Sequence, residues 1–147
     1  MNLREKLIGA WILESYVEHP VDGSAPFYPL GENAKGIILY TPDGYMSAQL
    51  MRVGRPEFAS GDWFRGTLDE YRAAAGYIAY SGQFHVDETK GELTHSMFVS
   101  FYPNWLDQTQ VRTVELNNDE LHLGPAAPIQ SGGKMVISRL RWRRAPC

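Results

Sequence analysis

The sequence predicts an all-β fold, an antiparallel up-and-down β-barrel of eight strands, ten at most, built from residues 1–147 as a single domain. Three observations predict it. Eight stretches rich in β-branched and aromatic residues are each bounded by Gly, Pro, Asn or Asp. Short turns and long loops alternate strictly between them, so in an antiparallel array all tight turns fall at one end and all long loops at the other. Only one segment longer than a turn reads as helix. Eight strands can close on themselves and remove their edges, which gives a barrel with a closed floor and a looped mouth.

The elements follow in order. Asn2 to Lys6 reads as a helical turn in which Asn2 and Glu5 cap each other. Residues 7–17 form the first strand. Strands 35–41 and 44–51 meet at TPDG (41–44), where Gly44 supplies the positive φ of a hairpin turn. Between the third and fourth strands, Thr67, Leu68, Asp69 and Glu70 have the Thr-x-x-Glu form of a capping box. The segment LDEYRAAAGYIA then sets Leu68, Tyr71, Ala75 and Ile78 on one face of a short helix. Strands 80–87 and 92–101 join at ETKG (88–91), strands 109–116 and 119–124 at Asn117 and Asn118, and the eighth strand spans 135–143. The long connections are 18–34, 52–79, 102–108 and 125–134.

Period-two alternation then separates the faces. Folding 80–87 onto 92–101 sets Phe84 opposite His95, Val86 opposite Leu93 and Gly82 opposite Met97. The apolar face holds Phe84, Val86, Leu93, Met97, Val99 and Phe101 and is predicted to point inward, whereas Gln83, His85, Asp87, Thr94, Ser96 and Ser100 face water. In the sixth strand Val114 and Leu116 pick the inward face, which carries Gln110 and Arg112 with them. Trp11 and Leu13 point in and Glu14 out. Ile38, Tyr40, Met46, Ala48 and Leu50 form the more apolar set of the TPDG hairpin.

Composition narrows the function. Apolar residues make up 44% and charged residues 21%, with a formal charge of −3, which is ordinary for a globular chain. No basic stripe suggests nucleic acid, and no apolar run is long enough for a membrane helix. Cys147 is the only cysteine, which excludes an intramolecular disulfide and any cysteine-based metal site. With no secretory signal read at the N-terminus, the expected setting is reducing and cytoplasmic. His19, His85, His95 and His122 lack ligand spacing, so no metal is expected. There is no phosphate loop, no nucleophile elbow and no pair of inward carboxylates, and no cofactor is implied.

Gly9-x-Trp11 at the start of the first strand, after a helical turn, resembles the lipocalin signature of the calycin superfamily. In that family the Trp plugs the closed end of the barrel and an arginine from the end of the last strand lies across its ring. The resemblance implies that role for Trp11, with Gly9 allowing close packing at the floor and Arg141 or Arg143 as the cation. Long portions of the chain, among them YPLGENAKGIILYTPDGYMSAQLMR, GYIAYSGQFHVDE and LTHSMFVSFYPNW, are similar to the bacterial and fungal lipocalin-like domain family. That resemblance implies a barrel enclosing a binding cavity. The chain lacks the cysteine pair of secreted lipocalins.

Inward His95, Gln110 and Arg112 stand out in an apolar interior. Pairing the fifth and sixth strands through the 102–108 loop sets Met97 opposite Arg112, with His95 one diagonal step away. An inward arginine is costly unless paired, and no inward carboxylate is seen on the neighbouring strands. A ligand carboxylate, phenolate or carbonyl would satisfy it. The alternative is an arginine that reaches tyrosine or backbone oxygens or an ordered water, beside a satisfied core histidine. The expected ligand-lining set is Tyr40, Met46, Phe84, His95, Met97, Val99, Gln110 and Arg112, with Trp63 and Trp105 among the aromatics of the mouth. Two functions fit this pattern. One is binding of a small hydrophobic or aromatic molecule whose polar end meets Arg112, His95 and Gln110. The other is a cofactor-free isomerase, cyclase or dehydratase, with His95 as general acid/base and Arg112 stabilising a developing enolate or carboxylate. A filled barrel used for self-association, such as a homodimer, is the third.

Overall fold

The chain enters at the barrel floor through α1 (Leu3–Leu7) in a computed structural model that describes residues 1–147. Asn2 accepts from the Glu5 N–H while the Glu5 carboxylate accepts from the Asn2 N–H, the reciprocal cap that the sequence predicts. Glu88 accepts from the N–H groups of Leu3 at 2.7 Å and Arg4 at 3.1 Å, which fastens the helix start to the β-turn beneath the barrel.

Nine strands follow: β1 (Gly9–Pro20), β2 (Lys35–Tyr40), β3 (Tyr45–Met51), β4 (Tyr77–Asp87), β5 (Glu92–Ser100), β6 (Thr109–Asn117), β7 (Glu120–Pro125), β8 (Ile129–Ser131) and β9 (Lys134–Arg144). Each of the first six pairs antiparallel with its successor, β7 pairs with β9, and β9 returns to β1, so eight strands close the barrel. The extra strand is β8, a short partner of β9 inside the segment expected as the last long loop. Helix α2 (Leu68–Ala74) carries the predicted capping box at Thr67 and Glu70 but ends sooner than expected. Gly76 follows its last turn and β4 starts at Tyr77, so Ile78 belongs to the barrel wall. No residue of α2 is buried.

Two β-bulges reset the alternation of side chains. Between β4 and β5 the pairing runs Gly82 with Met97 and then Ser81 with Val99, so Phe98 is an extra residue. This overturns the inward assignment of Val99 and Phe101: Val99 is 54% exposed and Phe101 55%, because one inserted residue exchanges the two faces. Between β1 and β9 the pairing runs Leu13 with Trp142 and then Ser15 with Arg141, so Glu14 is extra. Trp11 and Leu13 point inward before it, and Tyr16 and Glu18 after it.

The floor is built around Trp11, whose indole N–H donates to the Leu7 carbonyl at 2.9 Å. The cation over its ring is Arg144, 4.2 Å from the centroid, in place of Arg141 or Arg143. Parity explains the correction. Trp142 is buried and points inward, so Arg144 shares its face, whereas Arg141 and Arg143 point outward and pair with Glu14 at 3.2 and 2.9 Å. Arg144 also donates to the carbonyls of Ile8 at 3.2 Å and Lys6 at 2.6 Å. Gly9 has φ +124°, and a Cβ there would meet the Arg144 guanidinium at 3.2 Å, so glycine provides both the backbone turn and the space for the cation.

Candidate functional site

Toward the mouth the barrel keeps a cavity of about 700 Å³, within the usual range for a small-molecule site. Its apolar wall includes Ile38, Leu50, Ile78, Leu123 and Leu140, and its aromatic wall Tyr16, Tyr80, Tyr102, Trp105 and Trp142. Residues 125–130, leading from β7 into β8, and the 3-10 turn Pro103–Trp105 border it. Trp105 meets Tyr80 edge to face at 5.5 Å and Tyr102 at 5.5 Å.

The polar residues come from β5 and β6. His95 is fully buried and stands opposite Gln110, while Arg112 stands opposite Leu93, not Met97 as the sequence suggests. The register differs because β5 and β6 part at Ser96 and Thr109, beyond which Met97 bonds to the backbone of Asp107 and Gln108. Gln110 Oε1 accepts from the Arg112 guanidinium at 2.5 Å, and Tyr40 Oη lies 2.9 Å from His95 Nε2. Burial first, and the Arg112 charge second, hold His95 well below the ordinary histidine range, so its imidazole is neutral at neutral pH. Burial pushes the Tyr40 phenol well above its ordinary value, with Tyr80 adding to the rise and Arg112 opposing it.

Counting protons assigns the tautomer. Tyr40 keeps its proton, and His95 Nε2 is the partner its hydroxyl has. If Tyr40 donates, one buried donor is left over, His95 Nδ1–H. If His95 donates instead, both the Tyr40 proton and the Nδ1 lone pair are stranded. The first arrangement is the cheaper one. Three buried side-chain polar atoms in the chain lack a hydrogen-bond partner: His95 Nδ1, Arg112 Nε and Trp142 Nε1. All three residues line this one cavity, and with that tautomer all three atoms are donors. The site is therefore short of acceptors, which a carbonyl, phenolate or carboxylate oxygen would supply.

Not every expected residue is here. His95, Gln110, Arg112 and Trp105 line the cavity. Tyr40, Met46, Phe84 and Met97 are instead packed in the core; Tyr40, Met46, Gly82 and Met97 follow one another across four strands in a row that starts at Gly9 on the floor. Tyr40 reaches the site only through His95. Trp63 is 81% exposed beside Phe64 in the long loop before α2, and Val99 points outside. Four lining or supporting residues escaped the sequence reading: Tyr16, Glu18, Ser138 and Trp142. The alternation of Val136, Ser138, Leu140 and Trp142 held the signal for the last strand. Nothing in the sequence marks the bulge that turns Tyr16 and Glu18 inward. The chain holds no group of three His, Cys, Asp or Glu side chains arranged to hold a metal ion, and no helix is long and apolar enough to cross a membrane.

Residues 8–145 match the family model described as a lipocalin-like domain. A curated relative, the 4'-hydroxy-3'-methoxypropiophenone carrier protein ppsC of Aspergillus oryzae (strain ATCC 42149 / RIB 40), is 36% identical over an alignment of 108 residues that covers 69% of this chain and 97% of the relative. A crystal structure of an uncharacterized protein from Bacteroides eggerthii DSM 20697 aligns over 95% of this chain and 99% of its own, with a TM-score of 0.48 and 14% identity.

Proposed function

Because the chain belongs to the lipocalin-like domain family, we propose that it binds a small aromatic molecule in the barrel cavity and holds that molecule's carbonyl or other oxygen acceptor against Arg112, His95 and Gln110. The observation that carries this reading is the convergence of every unpartnered buried side-chain donor on one aromatic-walled cavity. A protein that only filled its barrel would gain nothing by leaving a guanidinium Nε and an imidazole N–H without acceptors, since each unmet donor costs about 1–3 kcal/mol. Gln110 fixes the guanidinium, and Arg112 supplies the charge. The name of the curated relative, which specifies an aryl ketone, supports an aromatic ketone as the ligand class here.

The test is a titration with an aryl ketone and with an aromatic hydrocarbon of the same shape, followed by quenching of Trp105 and Trp142 emission. The ketone binds more tightly by about tenfold, the worth of one net hydrogen bond. Equal affinity, or no saturable binding of either, refutes the proposal.

A second function has its own support. With its ring proton on Nε2 instead, at the cost of the hydrogen bond from Tyr40, the His95 imidazole would turn a bare Nδ1 to the proton next to the carbonyl while Arg112 stabilises the resulting enolate. Exchange of deuterium from solvent into the ketone's α-position on incubation with the protein, lost in His95→Gln while binding persists, distinguishes catalysis from carriage.

A further inference from the structure

Glu18 is a buried carboxylate, 1% exposed, on the inward face of β1. Its backbone is fixed on both sides, donating to Phe27 at 2.8 Å and accepting from it at 3.0 Å. Its carboxylate accepts from the hydroxyls of Ser138 at 2.8 Å, Tyr16 at 3.3 Å and Ser131. Tyr16 and Ser138 also line the cavity.

A hydroxyl carries one proton and two lone pairs. With their protons committed to Glu18, Tyr16 and Ser138 have only lone pairs to offer a ligand. Burial foremost, then the Glu18 charge and hydrogen bond, keep the Tyr16 phenol protonated beyond its ordinary range, and the hydrogen bond directs that proton to Glu18. The cavity therefore has two poles of opposite character. Arg112, His95 and Trp142 present donors that lack acceptors, and Tyr16 with Ser138 presents acceptors whose donors are spent.

We propose that Tyr16 and Ser138 form a second subsite of the cavity that accepts a hydrogen bond from a hydroxyl or N–H group of the ligand, with Glu18 as the positioning residue that sets their polarity. The inference rests on the binding function proposed above and deepens it: the ligand class becomes a small aromatic molecule with an acceptor oxygen at one end and a hydrogen-bond donor at the other. Arg112 and His95 lie on a different wall from Tyr16 and Ser138, whereas Trp142 shares β9 with Ser138. Ser138 pairs with Glu18 across β9 and β1, while Arg112 pairs with Pro125 across β6 and β7. Arg112 is nonetheless near enough for its charge to act on Tyr16.

The experiment compares two ligands of nearly equal shape, a para-hydroxyphenyl and a para-methylphenyl ethyl ketone, on the wild type and on Tyr16→Phe, Ser138→Ala and Glu18→Gln. The wild type favours the hydroxyl ligand by about tenfold. Tyr16→Phe and Ser138→Ala each reduce that preference several-fold, read as the ratio of the two affinities on each variant. Glu18→Gln, whose amide N–H donates to a neighbouring hydroxyl and so frees that hydroxyl's own proton to point into the cavity, also reduces the preference, which a purely structural carboxylate would not do. Thermal unfolding confirms that each variant is folded, and because the readout is a ratio of two affinities on the same sample, a partly destabilised variant still reports. The second subsite is refuted if the wild type binds both ketones equally, or if the preference survives in Tyr16→Phe and Ser138→Ala alike. Failure of the underlying function looks different: neither ketone binds.

Discussion

Replacing Arg112 with methionine moves stability and binding in opposite directions. In the free protein this guanidinium has one side-chain acceptor, Gln110 Oε1, and a buried Nε without any. Removing it relieves the unmet donor, worth about 1–3 kcal/mol, and strands the Gln110 oxygen, which costs about 1 kcal/mol. Methionine adapts to the vacated volume. The net is a stabilisation of about 1 kcal/mol, which for a chain of this size raises the melting temperature by roughly 2–4 °C. Binding of an aryl ketone loses a charge-assisted hydrogen bond worth about 1.5–3 kcal/mol, so affinity falls roughly 10- to 150-fold. Thermal denaturation without ligand and fluorescence titration on the same samples measure both quantities. A variant that melts lower than the wild type and binds the ketone equally well would show Arg112 to be a structural residue, and the reasoning would fail.

Three further outcomes follow from the geometry. His95 has a folded pKa well below the 6.5 of the unfolded chain, so its contribution to stability is whole above pH 6.5. That contribution is lost as pH falls toward the folded value, because the unfolded state then binds the extra proton, at up to about 1.4 kcal/mol per pH unit; chemical denaturation between neutral and acid pH shows this slope, and His95→Gln flattens it. Arg144→Met loses a cation–π contact and two hydrogen bonds to carbonyls and costs about 2–4 kcal/mol. Arg141→Met, on the outer face, costs about 0.5 kcal/mol, and equal losses in denaturant titrations would contradict the floor assignment. Gly82→Ala places a Cβ 1.8 Å from the Ser96 carbonyl oxygen beside the bulge. It costs at least about 3 kcal/mol, and a variant with wild-type melting behaviour would refute the pairing around Phe98.

How much the sequence revealed depended on whether alternation ran unbroken. From Gly82 to Asp87 and from Glu92 to Met97 the period of two holds, and Phe84 with His95, Val86 with Leu93 and Gly82 with Met97 pair as the turn at 88–91 dictates. One residue later Phe98 bulges, and Val99 falls on the opposite face from the one its apolar character suggests. The same event at Glu14 hid Tyr16 and Glu18. An inserted residue leaves no compositional trace, because a bulge is selected by the curvature and twist of the closed sheet and not by its own side chain. Arg112 and His95 were legible because each sits in an unbroken stretch of alternation, flanked at two-residue spacing by Val114 or by Leu93 and Met97. Trp63 misled for another reason: a large aromatic in a long loop promises burial, yet the loop at 52–67 leaves it in solvent.

The pairing of β1 with β9 has a consequence for how the molecule is made. Nine residues of β1, from Trp11 to Pro20, bond to the partner strand formed by residues 136–144. During synthesis β1 therefore keeps that edge unpaired until residues 136–144 have been translated. Such an edge is an invitation to any other nascent strand, and contacts so distant along the chain slow the final step of folding. Glu14, which bulges from that edge, puts a negative charge and an interruption into the open ladder; the irregularity that turns Tyr16 toward the cavity also guards the seam while it waits to close.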